Sequence, residues 1–306
     1  MHSVQREISY SRKMGSGRKL AENQFGFLLI LPALTLLLVM LMYPTLNSIF
    51  ISFTNKSPLN PDTEFIGFDN YVSILRNPQY KGVFWNTLVL TFFATFIPFV
   101  LGFAWAIVLN HGFRSSQFLR GSTLIAWIIP GTCIGFIWMW IFNGEYGILN
   151  SILDALGLID NNLTLLGHPK TAMMVIIISS TWRSLPWYMA FLLGGLQAVP
   201  VEQVEAARLD GAGNFNVLFH IVIPNMKGLI NSLLILGAIG SLQQFDLIWV
   251  MTQGGPARGT TTLAIEVYKN AFQNWNTGKA AAIGVLWMLT LSIFTYFYMK
   301  TEKENQ

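Results

Sequence analysis

The chain has 306 residues, of which 53% are hydrophobic and only 11% are charged. Soluble domains carry about a quarter charged residues, so this composition excludes an ordinary soluble protein and predicts an integral membrane protein. The net charge of +4 fits the positive-inside rule without a nucleic-acid partner, and a single cysteine excludes a disulfide framework or a thiolate metal site.

Six stretches are apolar enough and long enough to cross a bilayer. A spanning helix needs about 20 mostly apolar residues, because each residue advances about 1.5 Å through a hydrocarbon layer of about 30 Å. The third stretch contains Pro130, Gly131 and Gly135, which are tolerated where neighbouring helices satisfy the freed backbone groups. We therefore predict an all-α integral membrane protein with six transmembrane helices. The stretches lie at residues 25–49, 84–109, 119–142, 171–195, 229–251 and 280–299.

The distribution of charge orients the predicted spans. With a cytoplasmic N-terminus, the inner segments hold eleven basic and seven acidic side chains, whereas the outer segments hold seven of each. The whole net charge then lies on one side, as the positive-inside rule requires. We predict cytoplasmic tails at residues 1–24 and 301–306, a transmembrane domain at 25–300, and a cytoplasmic loop at 200–224.

The predicted outer segments contain three short structured pieces. In the first outer segment, residues 50–83, we predict a short interfacial helix after Gly67. The second places Ile148, Ile152 and Leu156 on one face of a helix, since these residues are four apart. The third opens with the turn signal TQGGP at 252–256 and continues as a predicted helix at the outer surface.

The loop at 200–224 combines charges and turn signals between two apolar stretches. Residues 201–209 are good helix sequence, and Gly211 marks the end of that helix. Asn214 is a suitable N-cap for a second short helix that runs up to Pro224. We predict two short helices joined by a glycine bend, which form a compact projection at the membrane surface.

The spacing within this loop resembles a known family signature. Glu-Ala-Ala at 205–207 is followed by Gly211 and, after nine intervening residues, by Ile-Val-Ile-Pro at 221–224. This pattern resembles the cytoplasmic loop of permease subunits in binding-protein-dependent ABC importers, and Asp-Gly-Ala at 210–212 resembles their carbohydrate-uptake branch. Ile223 stands where that pattern usually has leucine, a change between aliphatic side chains. The resemblance covers nearly the whole chain from about residue 25.

The resemblance implies a type I ABC importer permease fold of the first-permease type, similar to the maltose, lactose and glycerol-phosphate permeases. It implies the cytoplasmic membrane of a bacterium or archaeon, a second related permease subunit in a heterodimer, a dimer of a cytoplasmic ATPase and an extracytoplasmic solute-binding protein. The substrate is then a sugar, and an oligosaccharide or glycoside is expected. The chain has no G-x-x-x-x-G-K-[ST] loop, so ATP and magnesium are expected in the partner ATPase and no cofactor in this chain.

The cytoplasmic loop is the place where such an ATPase would dock. We expect its first helix to insert into a groove of the ATPase and to transmit the closure of that subunit as a rigid-body movement of the spans. A solvated loop with its charges in water is the alternative. The residues expected to carry the coupling are Glu205, Ala206, Ala207, Asp210, Gly211, Ala212 and Pro224.

Two charged residues, Arg183 and Asp246, lie inside predicted spans. Ionisable groups there are costly, face protein or water, and mark transport pathways. Arg183 is near mid-bilayer and Asp246 is closer to the outer end of its span, which gives a depth difference of about 10 Å. That difference is larger than an ideal salt bridge allows, although arginine can reach upward. A structural ion pair or a helix-carbonyl contact therefore stays open beside a role in a polar cavity.

Amides and aromatic rings surround these two charges. Sugar hydroxyls need polar partners that donate and accept, and the CH face of a sugar ring stacks on aromatic side chains. Each single tryptophan or glutamine is also compatible with ordinary packing or interfacial anchoring, so only the cluster predicts a site. The expected substrate-binding residues are Trp182, Arg183, Tyr188, Gln243, Gln244, Asp246 and Trp249.

Other classes of protein stay open. An ion-coupled secondary transporter would need no ATPase and would usually show more intramembrane acids and an internal repeat. An intramembrane enzyme would need a catalytic constellation, which this sequence does not present. The four histidines also lack a spacing suited to a metal. Within the permease reading, a non-sugar polar solute such as glycerol 3-phosphate is the alternative cargo.

Overall fold

The computed structural model of the protein describes residues 24–159 and 162–303. Within these residues the chain is helical, and the strand-like pairings are two isolated bridges in the connection that follows the first helix. The predicted all-α class is therefore confirmed for the described part of the chain. The predicted tails at 1–24 and 301–306 lie largely outside the described residues.

Helices α1 (Gln24–Ile51) and α3 (Pro78–Asn110) are each long and apolar enough to span a membrane. At about 1.5 Å per residue, their 28 and 33 residues exceed a hydrocarbon thickness of about 30 Å. The Asn77 side chain caps α3 by accepting a hydrogen bond from the backbone N–H of Gln79 at 3.0 Å. These two helices confirm the first two predicted stretches as helices.

The predicted third span is not one helix. Helices α4 (Ser116–Ile128) and α5 (Gly131–Ile141) meet at an angle of 98° across Ile129 and Pro130. Ile129 has the extended ψ of 131° that a following proline favours, and Pro130 has no N–H to continue the helical ladder. The continuous helix predicted at 119–142 is therefore wrong, and the start of α5 lies in the middle of the apolar stretch.

The fourth predicted stretch is one helix, α7 (Pro169–Ala198), which continues through Pro186. It is the central packing element, because α3 packs along it. One cluster joins Leu90 and Ala94 of α3 to buried aliphatic side chains of α7, and a second cluster does the same further along both helices. This contact fixes the face that α7 turns toward the rest of the bundle.

The predicted fifth span is divided. Helix α10 (Lys227–Leu242) ends before a non-helical segment at 243–245, and α11 (Asp246–Thr252) is a new helix. Phe245, which precedes α11, has a φ of −124° and lies outside the helical region. The continuous helix predicted at 229–251 is therefore wrong. Asp246 begins a helix of its own and is not carried on the axis of α10.

The count of six spans stays a prediction. Among the described residues, α1 and α3 qualify as spans by length and composition, and two bent pairs would raise the number to four. These pairs are α4 with α5, and α9 (Asn214–Asn225) with α10, which meet at 73°. Helices α7 and α13 (Thr277–Lys303) occupy the two remaining predicted stretches with 30 and 27 residues.

The three short helices predicted in the outer segments are present. Helix α2 (Asp69–Arg76) follows Gly67, whose φ of +57° marks the turn before it. Helix α6 (Ile148–Ala155) carries Ile148 and Ile152 of the predicted aliphatic face, and Leu156 follows its last residue. Helix α12 (Leu263–Tyr268) follows the turn region that begins at Thr252.

The connection between α11 and α13 is anchored by side chains. Asn86 of α3 donates from Nδ2 to the carbonyl oxygens of Arg258 and Thr261 at 3.0 and 3.2 Å. Arg258 pairs with the buried carboxylate of Glu266 at 2.5 Å, and Asn270 donates to the same carboxylate at 3.0 Å. The connection is therefore a folded unit held against the start of α3.

Candidate functional site

A polar cavity of about 360 Å³ lies between α7, α10 and the segment that separates α10 from α11. This volume falls within the range of about 300–1,000 Å³ that small-molecule sites occupy. Hydroxyls, amides and one ion pair make up its polar lining, and three aromatic side chains add ring faces. The polar lining consists of Ser180, Arg183, Ser184, Ser241, Gln243, Gln244 and Asp246, and the aromatic residues are Trp127, Trp187 and Tyr188.

Arg183 and Asp246 form an ion pair inside this cavity. Arg183 Nη1 lies 3.2 Å from both carboxylate oxygens of Asp246, and about a third of each side chain is exposed, at 34% and 37%. The sequence left a structural ion pair open beside a role in a polar cavity, and the structure shows that the pair forms. Asp246 does not lie on a continuous fifth helix, because α10 ends at Leu242 and Asp246 opens α11.

The break between α4 and α5 makes room for this ion pair. Gly131 is the first residue of α5, and a Cβ placed there would overlap Asp246 Oδ2 and lie 2.7 Å from Arg183 Nη1. The backbone of α5 therefore approaches the pair more closely than any side chain would permit. The sequence marked Gly131 as a helix breaker but did not connect it with Arg183 and Asp246.

The amide side chains of the cavity differ in their partners. Gln244 donates from Nε2 to Ser180 Oγ at 2.7 Å, which ties the non-helical segment to α7. Gln243 makes no side-chain hydrogen bond with a described residue, and it is exposed to the cavity. Thr95 of α3 donates to Ser241 at 3.2 Å and holds a second hydroxyl of the lining in place. The side-chain amide of Gln243 and the side-chain oxygen Oε1 of Gln244 are therefore available to a solute.

Tyr188 forms the aromatic wall of the cavity. It is 1% exposed, its ring packs edge-on against Trp187 at a centroid distance of 4.8 Å, and it meets Phe99 in the same way at 5.9 Å. Its hydroxyl has no hydrogen-bond partner among the described residues. The hydroxyl lies against Gly237 of α10, where a Cβ would overlap it.

The structure does not bring the two other predicted residues into the cavity lining. Trp182 packs edge-on against Trp138 at a centroid distance of 6.1 Å and is 41% exposed. Trp249 stacks on Phe245 at 5.6 Å and contacts Tyr268 at 4.5 Å. Of the seven predicted substrate residues, the cavity is lined by Arg183, Tyr188, Gln243, Gln244 and Asp246.

Sequence reasoning missed several residues of the lining that carry a readable signal. Ser180, Arg183, Ser184 and Trp187 are spaced at i, i+3, i+4 and i+7, which is one face of a helix. Trp182 falls on a different face, since successive residues are rotated by about 100°. The helical period could therefore have replaced Trp182 with Trp187. Trp127 on α4 carries no comparable signal, because the fold alone brings α4 to the cavity.

The loop at 200–224 contains two helices, as predicted. Helix α8 (Val201–Leu209) ends with a hydrogen bond from the N–H of Ala212 to the carbonyl oxygen of Ala207 at 2.9 Å. Gly211 adopts a φ of +84° within this turn, a conformation that favours glycine. The N-cap of α9 is Gly213 rather than Asn214, which is the first helical residue, and no side-chain cap forms. The predicted Asn214 cap is wrong.

The two helices of this loop are joined to each other, and large side chains at their tips are exposed. Asn225 of α9 donates from Nδ2 to Gln203 Oε1 of α8 at 2.9 Å. Leu209 and Phe215 are 89% and 79% exposed, so two large apolar side chains project from the loop. Among the residues predicted to couple to an ATPase, Ala207 and Ala212 are half-buried. The exposed ones are Glu205, Ala206, Asp210, Gly211 and Pro224.

The described residues contain no cluster of three or more histidine, cysteine, aspartate or glutamate side chains that could hold a metal ion. The chemistry that the cavity offers is therefore hydrogen bonding, one ion pair and aromatic stacking. Such a lining suits reversible binding of a polar solute.

The chain belongs to the family of binding-protein-dependent transport system inner membrane components, which it matches over residues 98–301. That range contains the polar and aromatic lining of the cavity and the two-helix loop. The resemblance predicted from the loop at 205–224 is thereby confirmed. The protein is a membrane-embedded transport component.

Relatives match over nearly their whole length. The trehalose/maltose transport system permease protein of Thermococcus litoralis is 33% identical over 92% of this chain and 95% of its own. The sulfoquinovosyl glycerol transport system permease protein of Agrobacterium fabrum is 32% identical over 92% of this chain and 91% of its own. A bacterial ABC transporter involved in the import of the acidic polysaccharide alginate has a chain of the same fold, with a TM-score of 0.82 at 18% identity over 94% of this chain and 98% of that one.

Proposed function

We propose that this protein is one transmembrane subunit of an ABC importer that carries a sugar, as an oligosaccharide or glycoside, across the cytoplasmic membrane by alternating access. Its relatives in Thermococcus and Agrobacterium are named for the transport of a disaccharide and of a sugar glycoside. The chain covers more than nine-tenths of each of them. A common cargo class is therefore the simplest reading of the family relationship.

The observation that carries the proposal is the position of the polar cavity at two broken helices. Gly131 at the α4–α5 break and Asp246 at the α10–α11 break both lie against Arg183. The cavity is lined by this ion pair. Irregular backbone at membrane depth is tolerated where it lines a cavity, and transporter sites commonly lie at such discontinuous helices. Serine hydroxyls, glutamine amides and tryptophan faces around the breaks match the needs of a sugar.

The partners and the orientation follow from the same proposal. A second permease subunit completes the pathway in a heterodimer, a solute-binding protein delivers the sugar outside, and an ATPase dimer binds the loop inside, with both termini in the cytoplasm. The six-span count belongs to this proposal as well. Exposed Leu209 and Phe215 support docking, because large apolar side chains at the tip of a polar loop indicate a protein contact.

The proposal is tested by reconstitution. The chain is co-purified with its second permease and ATPase, placed in liposomes with ATP inside, and given the solute-binding protein and radiolabelled trehalose or maltose outside. We expect uptake that needs both ATP and the binding protein. A Glu205→Lys variant should co-purify with less ATPase and should show less uptake. Co-purified ATPase and uptake at the level of the unsubstituted complex would contradict docking through this loop.

The competing transporter class is tested in the same liposomes. Uptake that continues when a proton ionophore collapses the gradient at constant ATP supports the ABC importer. Uptake that stops under this condition indicates an ion-coupled secondary transporter. Glycerol 3-phosphate, the alternative cargo, is included as a competitor at equal concentration, and competition by it would favour a non-sugar solute.

A further inference from the structure

The cavity contains one positive and one negative residue and no other charged side chain. Among the described residues that line it, Arg183 and Asp246 carry formal charge, and the remainder are apolar, hydroxyl or amide residues. The lining therefore has no net charge. Asp246 supplies the negative charge of this balance, and its removal would leave an unpaired guanidinium beside the solute.

The geometry of the pair leaves binding capacity on both partners. Only Nη1 of Arg183 contacts Asp246, and it lies at 3.2 Å from both carboxylate oxygens. The Nε and Nη2 groups of Arg183 make no hydrogen bond with a described residue and are not among the buried unpartnered atoms. Arg183 can therefore donate to a solute oxygen, while Asp246, about a third exposed, accepts from a solute hydroxyl.

The pair is also held in place. The backbone of Gly131 lies against Asp246 Oδ2 and Arg183 Nη1, so the carboxylate has no room to move away in that direction. Gln244 fixes the segment before Asp246 through its hydrogen bond to Ser180 at 2.7 Å. A negatively charged solute that approached Arg183 would therefore meet the carboxylate of Asp246 at close range and be repelled by it.

We propose that the Arg183–Asp246 pair makes this cavity selective for uncharged sugars, with Asp246 as the residue that discriminates against anionic ones. The inference rests on the proposed function, sugar transport. Family membership does not decide this point, because one relative is named for trehalose and maltose and the other for sulfoquinovosyl glycerol, which bears a sulfonate.

The test measures binding to the permease complex itself, because a solute-binding protein would impose its own selectivity. The complex is purified without that protein, embedded in lipid nanodiscs and dialysed to equilibrium against trehalose or its monouronic acid, which differ at one oxidised carbon. We expect trehalose to bind at least about tenfold more tightly than the uronic acid, because like charges at close range disfavour the anion.

Two substitutions separate charge from shape. Asp246→Asn keeps the size of the side chain and leaves Arg183 unpaired, so affinity for the uronic acid should rise by about tenfold or more. The double variant Arg183→Gln with Asp246→Asn has a neutral lining again and should lose that gain. The double variant also keeps the test informative if an unpaired arginine prevents assembly. Both sugars are expected to bind it more weakly, because the contacts of Arg183 and Asp246 are lost, but its ratio of trehalose affinity to uronic-acid affinity should fall toward one.

The outcomes distinguish the two proposals. Equal affinity for trehalose and the uronic acid in the unsubstituted complex, or no gain for the uronic acid in a folded Asp246→Asn complex, would overturn the charge selectivity while leaving sugar transport intact. Binding of neither sugar to any assembled variant would overturn the cavity as a sugar site and the inference with it.

Discussion

The hydroxyl of Tyr188 occupies the space that a side chain at Gly237 would fill. A Cβ at position 237 would overlap the hydroxyl oxygen and lie 2.8 Å from Cζ of the same ring. Tyr188 of α7 is 1% exposed and packs among side chains of α3 and α10, so a side chain at position 237 would have to displace its hydroxyl. The wall of the cavity therefore depends on the absence of a side chain at this position of α10.

Gly237→Ala is expected to destabilise the protein by about 1–3 kcal/mol, the usual cost of overpacking a filled interior. The measurement is thermal unfolding of the purified complex. Gly240→Ala is the matched control, because Gly240 lies one turn further along α10 and a Cβ there would meet nothing within 4 Å. The unfolding temperature should fall for Gly237→Ala and not for Gly240→Ala. Equal unfolding temperatures for the two variants would contradict the close contact.

Gly131→Ala is expected to separate Arg183 from Asp246, because the added methyl group would occupy the position of Asp246 Oδ2. The ion pair would be lost and the carboxylate of Asp246 would be displaced. Together these changes should reduce uptake by about tenfold, which corresponds to about 1.4 kcal/mol. Gly121→Ala on α4 has open space around its Cβ and serves as the control in the same uptake assay. Unchanged uptake in both variants would show that α5 does not need to approach the pair.

Gly211→Ala is expected to weaken the proposed docking of an ATPase on the loop at 200–224, and to do so through backbone strain alone. A Cβ at Gly211 meets nothing within 4 Å, but the φ of +84° costs an L-residue about 1–2 kcal/mol. Gly213→Ala is the matched control, since its surroundings are equally open and its φ is −71°. Co-purified ATPase and uptake should fall in the first variant only, and equal loss in both would point to contact with the glycine surface instead.

Glu266→Gln should loosen the connection between α11 and α13. The buried carboxylate pairs with Arg258 and accepts from Asn270, and hydrogen bonds to a charged group contribute about 1.5–3 kcal/mol. The half-exposed guanidinium of Arg258 can turn to water, which places the loss at the lower end. Proteolysis of this connection should be faster than in Glu64→Gln, whose exposed carboxylate accepts a long hydrogen bond of 3.4 Å from Asn55. Equal cleavage rates would contradict the anchoring role.

Burial lowers the pKa of Lys269 below its ordinary value of 10.5; the nearby Arg258 lowers it further, and Glu266 raises it. The folded protein then binds fewer protons at this site than the unfolded chain, so this lysine's contribution to stability increases as pH rises toward 10.5. Competitive acetylation of Lys269 against pH should give a midpoint below the ordinary value. Glu266→Gln should move that midpoint further down, and an upward shift would contradict the assigned charge contacts.

Helix positions followed from sequence wherever one local signal acted alone. Long apolar runs predicted helices at α1, α3, α7 and α13, because a backbone in hydrocarbon must satisfy its hydrogen bonds within the segment. Gly211 predicted the turn between α8 and α9, because such a turn needs a positive φ and few other residues adopt one. The predicted cap at Asn214 failed because a helix end is located from sequence only to within one or two residues, and Gly213 is also an acceptable N-cap residue.

The two predicted stretches that are divided show where local sequence signals were insufficient. Pro130 marked a weakness in the third stretch, yet hydropathy alone favoured one helix, and an angle of 98° is set by the neighbours that receive each half. The segment at 243–245 carries no proline or glycine that would announce a break. Its conformation is held by Gln244 on Ser180 and by Asp246 on Arg183, and these contacts join residues more than sixty positions apart.

By itself the sequence determined a membrane protein, its helical class, and the loop that identifies its family, because composition, hydropathy and turn chemistry are local properties of the chain. Only the tertiary structure decided that Arg183 and Asp246 are partners, that Trp187 and not Trp182 faces the cavity, and that Gly131 is a neighbour of both charges. Distances between side chains on different helices depend on where each helix breaks and which face it turns, and packing of the whole bundle sets both.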